Sequence, residues 1–579
     1  MADTYPRQTG VKVTNYTFNI SLNDKNNEFV VQDTVHLIFL APGVSAVDLD
    51  LCQYSAQPRN PQMANGFPDP CAEPSARGGR GNTTAPSGGK GMTVTAVTSD
   101  GTALTFLHRD DRLHVNLPRA FQPGDHFQLT VDYHGVPATG ILVANNKYGD
   151  REFFSNPWPH KTRNYLAVID HPYAKAPEVT MVTTPRHYQV ISNGRLVEQT
   201  DLPDDMRRTV WKESSPICPC IMSLGVAPFA VSHFGEYHGI PLSAWVYPQE
   251  RDISFQAFST FTQPILEFYI DHIGPYAYEK LAQVEANGIN GGMELASSIY
   301  YGYGASGPGR QLLAHEMAHQ WFGDSVAAAD WDDVWLSEGF ATYFALLYQE
   351  FQDGHDVFLD AIRRSKAQAI SYALANPEST IVHKNLADFS KVIANRPQIY
   401  QGGAQALQNI RGVLGTETFW AGIRLYYDRF KNGNATSDDF RHAMEEACAK
   451  AGDRCSADGK DLRWLFAELL NRGGVLQVEG SWHYDAVAKQ IKVMLNQAQP
   501  SGLYRMPIEL GVTSIAPARE NGSGRGGPGS PILEQVRRIY VMELDQKQQD
   551  FSFRADQEPV RVELDPNAWV MMKAKFESK

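Results

Sequence analysis

QLLAHEMAHQWFGD, residues 311–324, sets His315, Glu316 and His319 in the order H-E-x-x-H. Successive residues of an α-helix are turned by about 100°, so positions four apart lie within ~40° of each other on one face. Leu312, Leu313, Ala314, Met317 and Ala318 are good helix formers, uninterrupted by Gly or Pro. A helix here would aim His315 and His319 at one ion, with Glu316 on the adjoining flank, near enough to reach a water without ligating the metal. Two imidazoles are too few, because catalytic zinc usually keeps three protein ligands and one open position.

The next stretch, WDDVWLSEGFATYFALLYQE (331–350), supplies a candidate third ligand. Glu338 lies 19 positions after His319 and opens a second apolar, aromatic-rich helical run. Taken alone it could be a solvated first-turn glutamate, favoured there by the helix dipole. Taken with the histidines it completes a His-His-Glu zinc site on two neighbouring helices.

HEMAHQWFGD followed by WLSEGFATYF resembles the gluzincin aminopeptidases of family M1, whose pattern is HExxH, eighteen residues, then Glu. Upstream, GGMEL (291–295) is similar to that family's G-x-M-E-N exopeptidase motif. Downstream, IYQGGAQALQNIRGVLG, starting at Ile399, resembles the segment carrying its catalytic tyrosine. NYLAVIDHPYAKA (164–176) and VISNGRLV (190–197) extend the likeness, which covers roughly residues 10–475 and the remainder more loosely.

The resemblance implies a zinc-dependent aminopeptidase with one Zn²⁺ per chain on His315, His319 and Glu338. Glu316 is then the general base that takes a proton from the attacking water and returns it to the leaving amine. Tyr400 is the neutral donor to the oxyanion. An exopeptidase must also grip the free α-ammonium of its peptide, and Glu294 is the candidate anchor. Gly291 and Gly292 would let substrate backbone approach closely, with Met293 beside them. A zinc endopeptidase, or a non-catalytic scaffold of the same fold, are the alternatives.

Several positions depart from the family pattern. Leu295 replaces the Asn that ends the exopeptidase motif, Gly402 stands where a Lys follows the catalytic Tyr, and Ser337 replaces an Asn before the third ligand. Asn156 and Trp158 of SNPWPH (155–160) occupy slots that in many members hold glutamines near the substrate amine. These bear on substrate preference more than on catalysis.

The whole chain is expected to be a multidomain α+β protein. Residues 1–232 alternate in β fashion (VKVTNYTFNISL, EFVVQDTVHLIFLA, HFQLTVDYHG), which predicts an N-terminal β-sandwich or saddle domain. An aperiodic insert rich in Pro, Gly, Ser and Asn, 53–90, reads as a long surface loop. Long helical patterns then dominate 233–473, the layout of a thermolysin-like catalytic domain. Alternation returns over 474–579, predicting a small C-terminal β-sandwich. Longer family members carry a large helical domain after this point, and this chain, a divergent bacterial-type member by its motifs, is expected to lack it. GYGASGPG (302–309) lacks the Gly-Lys-Ser/Thr ending of a phosphate loop and reads as a flexible lead into the zinc helix. His160, His171 and His187 are scattered and read as surface or satisfied core histidines.

A net charge of −13 argues against nucleic acid as a partner. No run of 18 apolar residues exists, so no membrane span is expected. The expected partners are peptides with a free N-terminal amine, and the oligomeric state is not legible. The six cysteines fall into local pairs, Cys52 with Cys71, Cys218 with Cys220 and Cys448 with Cys455, which leans towards an oxidising compartment; six buried thiols are the alternative. The N-terminus, MADTYPRQTGVKV, has no basic segment followed by an apolar one. A periplasmic or secreted mature chain is therefore favoured, with the cytoplasm as the alternative.

Overall fold

Each strand of the N-terminal region buries one face and wets the other. In Val11–Ser21 the buried residues are Val11, Val13, Tyr16, Phe18 and Ile20, and in Phe29–Phe39 every second residue is buried. These two pair antiparallel (Tyr16 opposite Val35), with an irregularity between Val13 and Asn15. Val11–Ser21 also runs parallel to Ala176–Pro185. They lie in an eight-stranded sheet in the order Arg195–Leu202, Met206–Ile217, Ala176–Pro185, Val11–Ser21, Phe29–Phe39, His126–Val136, Gly91–Ser99, Thr102–Ala103. A three-stranded sheet (Val44–Asp50, Arg112–Phe121, Phe106–Arg109) and a four-stranded one (Gln189–Ser192, Leu224–Ala227, Arg151–Ser155, Ile141–Asn145) complete the β-rich part. The structure is a computed structural model that describes residues 3–62, 69–73, 88–302, 308–452, 455, 461–517 and 533–579.

A five-stranded sheet follows, in the order Ala230–Tyr237, Ile240–Val246, Leu281–Ala286, Ser298–Gly302, Gly292–Met293. Its three middle strands are parallel. Leu281–Ala286 (LAQVEA) is buried at all six positions, as a strand covered on both faces must be. Helices α1 (Arg251–His272), α2 (Arg310–His319) and α3 (Trp335–Asp353) follow in chain order. Phe322 packs against Phe340 and Phe344 with ring centroids 4.8 and 4.7 Å apart. All the elements above, up to Tyr348, belong to one compact unit, which also takes in His383–Ala394 and Arg424–Phe440.

The second unit comprises Gln349–Val382, Asn395–Ile423 and Arg441–Lys579. Its C-terminal part is a sandwich of two sheets. One has the order Gln548–Arg554, Gln490–Gln497, Leu476–Asp485, Met572–Ser578; the other is Leu533–Leu544, Met506–Pro517, Arg561–Leu564. Val478, Val493, Leu495, Ile508, Leu510, Met542 and Leu544 form its core. Helix Gly403–Leu414 lies on the sandwich: Gln405 Nε2 donates to the carbonyls of Ala568 (3.0 Å) and Trp569 (2.8 Å). A Cβ on Gly412 would sit 2.7 Å from the Trp569 ring, so glycine is required for that approach.

The chain is thus α+β, with a β-rich N-terminal part, as its alternation predicted. All six cysteines are paired, Cys52–Cys71, Cys218–Cys220 and Cys448–Cys455. Residues 63–68 and 74–87 of the expected surface loop at 53–90 lie outside the described residues, as does most of GYGASGPG. No helix among the described residues is long and apolar enough to cross a membrane.

Candidate metal centre

Helix α2 is held from α1, where the Tyr269 hydroxyl donates to the Ala314 carbonyl at 2.8 Å. One turn later the chain reverses through Gly323, at φ +119°. A Cβ there would meet Ser337 Oγ at 2.3 Å and His319 Nδ1 at 3.2 Å, so only glycine permits the approach. Asp330 then accepts from the Asp332 amide at 2.9 Å and caps the short turn Trp331–Asp333 that leads into α3. Glu338 lies in the first turn of α3 and is buried, not solvated.

The two helices bring three donor atoms together. His315 Nε2 and His319 Nε2 are 3.3 Å apart, and Glu338 Oε2 lies 3.4 Å from the first and 3.3 Å from the second. Zinc binds imidazole nitrogen at about 2.0–2.1 Å and carboxylate oxygen at about 2.0–2.2 Å, and adjacent corners of a tetrahedron with such bonds lie ~3.3–3.5 Å apart. The triangle therefore has the edge that a tetrahedral zinc requires, and a donor set of two imidazole nitrogens and one carboxylate suits that ion.

Charge supports the fit. Burial by itself would lower the His319 pKa, yet Glu294, Glu338 and Glu316 raise it to about 10. Burial would likewise raise Glu338, but the two imidazoles hold its carboxyl well below the usual range. Carboxylates so arranged around two imidazoles call for a cation. His319 Nδ1 faces Ser337 Oγ at 3.0 Å and the Phe322 carbonyl at 3.2 Å, acceptors that keep the proton on Nδ1 and leave Nε2 free to ligate.

Glu316 is buried beside this triangle. Gly292, on the edge strand Gly292–Met293, packs on it: a Cβ at 292 would lie 2.3 Å from Glu316 Cδ. Gly291 has φ +80° and open space where a side chain would be, whereas Met293 is half-buried in register with Tyr300. Glu294, leaving the edge strand, is buried. Burial pushes its carboxyl up, His319 opposes that and Glu338 adds to it. Oxygens of Glu294 and Glu316 and a nitrogen of His319 all lie within 4.8 Å of one another.

Gln320, not singled out by its spacing, joins these parts. Its Nε2 donates to the Glu294 carbonyl (3.2 Å) and to Asp324 Oδ2 (2.7 Å), and its Oε1 accepts from the Ser297 amide (2.8 Å). Trp158 lines a small cavity of about 20 Å³ together with Glu294, Asp324 and Ser337, and Leu295 is fully buried. Asn156 is engaged through its backbone with Gly140 (2.8 Å). His171 is a satisfied core histidine, its Nε2 2.9 Å from Asp3 Oδ2.

Tyr400 and Gly402 belong to the second unit. Tyr400 is buried in a π-helical turn, Gln398–Gly402, with the Arg396 guanidinium 4.5 Å from its ring centre.

Residues 90–219 match the Peptidase M1 N-terminal domain and residues 308–468 the Peptidase family M1 domain. Glutamyl aminopeptidase of Bitis rhinoceros is 26% identical over 307 residues, 50% of this chain and 32% of that protein. Tricorn protease-interacting factor F2 of Thermoplasma acidophilum is 27% identical over 384 residues, 62% of this chain and 47% of that protein. These matches thus span less than half the length of either relative. A crystal structure of Legionella pneumophila aminopeptidase A with aspartic acid shares the fold, with a TM-score of 0.75 and 14% identity, over 100% of this chain and 61% of that one. With the zinc-type motif on paired helices, both M1 domains matched in order and the same fold throughout, the chain belongs to peptidase family M1, whose members are in general zinc-dependent.

Proposed function

We propose that this protein is a zinc aminopeptidase that removes the N-terminal residue of peptides carrying a free amine. His315, His319 and Glu338 hold the metal. When bound there, zinc supplies Lewis acidity, making a water acidic enough to ionise near neutrality and polarising the scissile carbonyl.

The remaining chemistry belongs to side chains. Glu316 accepts the proton of the attacking water on its carboxylate and delivers it to the leaving amine. Gly292, having no side chain, leaves the room in which that carboxylate sits. Glu294 pairs with the α-ammonium of the substrate and so makes the carbonyl of that same first residue the reacting one. The Tyr400 hydroxyl donates to the oxyanion of the tetrahedral adduct.

The single observation that carries this reading is the triangle of donor atoms with 3.3–3.4 Å edges, flanked by Glu316 and Glu294. The test combines a zinc determination with hydrolysis of an aminoacyl chromogenic substrate and its N-acetylated form. One equivalent of zinc, chelator-sensitive turnover and hydrolysis of the free-amine substrate alone are expected. Equal hydrolysis of both substrates would make the protein an endopeptidase, and a metal-free, inactive protein would make it a scaffold.

A further inference from the structure

The Cys-Pro-Cys sequence at 218–220 has no part in the chemistry above. Its disulfide closes a ring over a single intervening residue, so it fixes a short 3₁₀ turn, Pro219–Ile221, and adds almost nothing by tying distant chain together. Both cysteines are buried, and the Cys220 amide donates to Cys218 Sγ at 3.0 Å.

This turn meets both segments that flank Glu294. On one side the Thr162 hydroxyl, just after SNPWPH, donates to the Pro219 carbonyl at 2.6 Å. On the other, the Ala296 amide donates to the Ile221 carbonyl at 3.3 Å. Asn193 ties the two together, its Nδ2 donating to the carbonyls of Ile221 (3.3 Å) and Ala296 (2.5 Å). Cys220 and Ile221 also line the small cavity that Glu294 and Trp158 share.

Glu294 stands on irregular backbone between two strands, and Ser297, three residues on, holds φ +60°, which a non-glycine residue rarely adopts. Such a segment keeps its shape only through bonds from outside it. Gln320 supplies two of these, the Cys218–Cys220 turn and Asn193 bond Ala296, and Ser297 is also bonded by the Gly194 and Ala282 amides and by Lys280 Nζ.

We propose that the Cys218–Pro219–Cys220 disulfide is a positioning clamp for Glu294, holding its carboxylate at the place where the substrate α-ammonium docks. The clamp acts on amine binding and leaves the metal ligands and Glu316 alone. It rests on the reading of Glu294 as the amine anchor.

The test compares the wild-type enzyme, the double variant Cys218→Ser/Cys220→Ser, and Glu294→Gln, each with its zinc content and melting temperature measured. Loosening one anchoring contact predicts a KM for free-amine aminoacyl substrate raised about tenfold in the double variant, with kcat within roughly twofold and zinc unchanged. A purely structural disulfide would instead lower the melting temperature and the active fraction, leaving KM where it was. If the double variant does not fold, native enzyme reduced with a trialkylphosphine takes its place. Phosphine, disulfide and one water then give phosphine oxide and two thiols, which maleimide labelling and mass spectrometry count. An unmoved KM with the disulfide gone, while Glu294→Gln raises KM, overturns the clamp alone. An unmoved KM in Glu294→Gln overturns the anchor reading and the clamp with it.

Discussion

A methyl group at position 292 would sit 2.3 Å from the carboxyl carbon of Glu316, closer than any packed contact allows. Gly292→Ala should therefore push Glu316 aside. A misplacement of the base by about 1 Å is expected to lower kcat ~10²-fold with zinc content intact. Steady-state kinetics beside metal analysis check this; unchanged kcat would show that Gly292 does not set the base. Glu316→Gln removes the proton acceptor itself. It should keep zinc and cut kcat by about 10³-fold or more, and normal turnover would remove Glu316 from its role. Tyr400→Phe should lower kcat ~10²–10³-fold with little change in KM. A large KM effect would recast Tyr400 as a binding residue.

At the scale of elements, the metal triangle depends on where the end of α2 meets the start of α3. Gly323 lets them approach, and Ser337 Oγ faces His319 Nδ1 at 3.0 Å across the gap. Ser337→Ala deletes one of the two acceptors that orient this imidazole and leaves the Phe322 carbonyl at 3.2 Å as the other. Loss of such an outer partner typically weakens a metal site 10–100-fold, and with one acceptor retained about tenfold is expected. Competition against a chelator of known affinity measures it, and an unchanged zinc affinity would show that the carbonyl suffices.

For the molecule as a whole, buried carboxyls make stability depend on pH. Burial pushes the Glu152 carboxyl up to about 7; Asn287, Tyr247 and Asn146 oppose this, and Asp150 adds to it. In the unfolded chain a glutamate titrates near 4.3. Between those values the folded protein keeps a proton that the unfolded chain has lost. Stability from this group is therefore full below pH ~4, falls as pH rises towards about 7, and is level above. Glu152→Gln should remove that slope and gain on wild type by on the order of 3–4 kcal/mol above pH 7. Urea unfolding of the zinc-loaded enzyme from pH 4.5 to 8 tests it; parallel pH profiles for the two proteins would refute the assignment.

The sequence by itself determined what is local. Period-two burial in strands such as Val11–Ser21 and the α+β order of the chain were legible as patterns, because strand and helix periodicity are properties of neighbouring residues. The same period of 3.6 put His315 and His319 on one face before any packing was known. Only the tertiary structure decided the 3.3–3.4 Å triangle, the seat of Glu316 against Gly292, and the service of Gln320 and the Cys218–Cys220 turn to the segment around Glu294. Those contacts join segments that are far apart along the chain. Spacing in sequence carries no distance between such segments; close packing of sheet, helix and loop does.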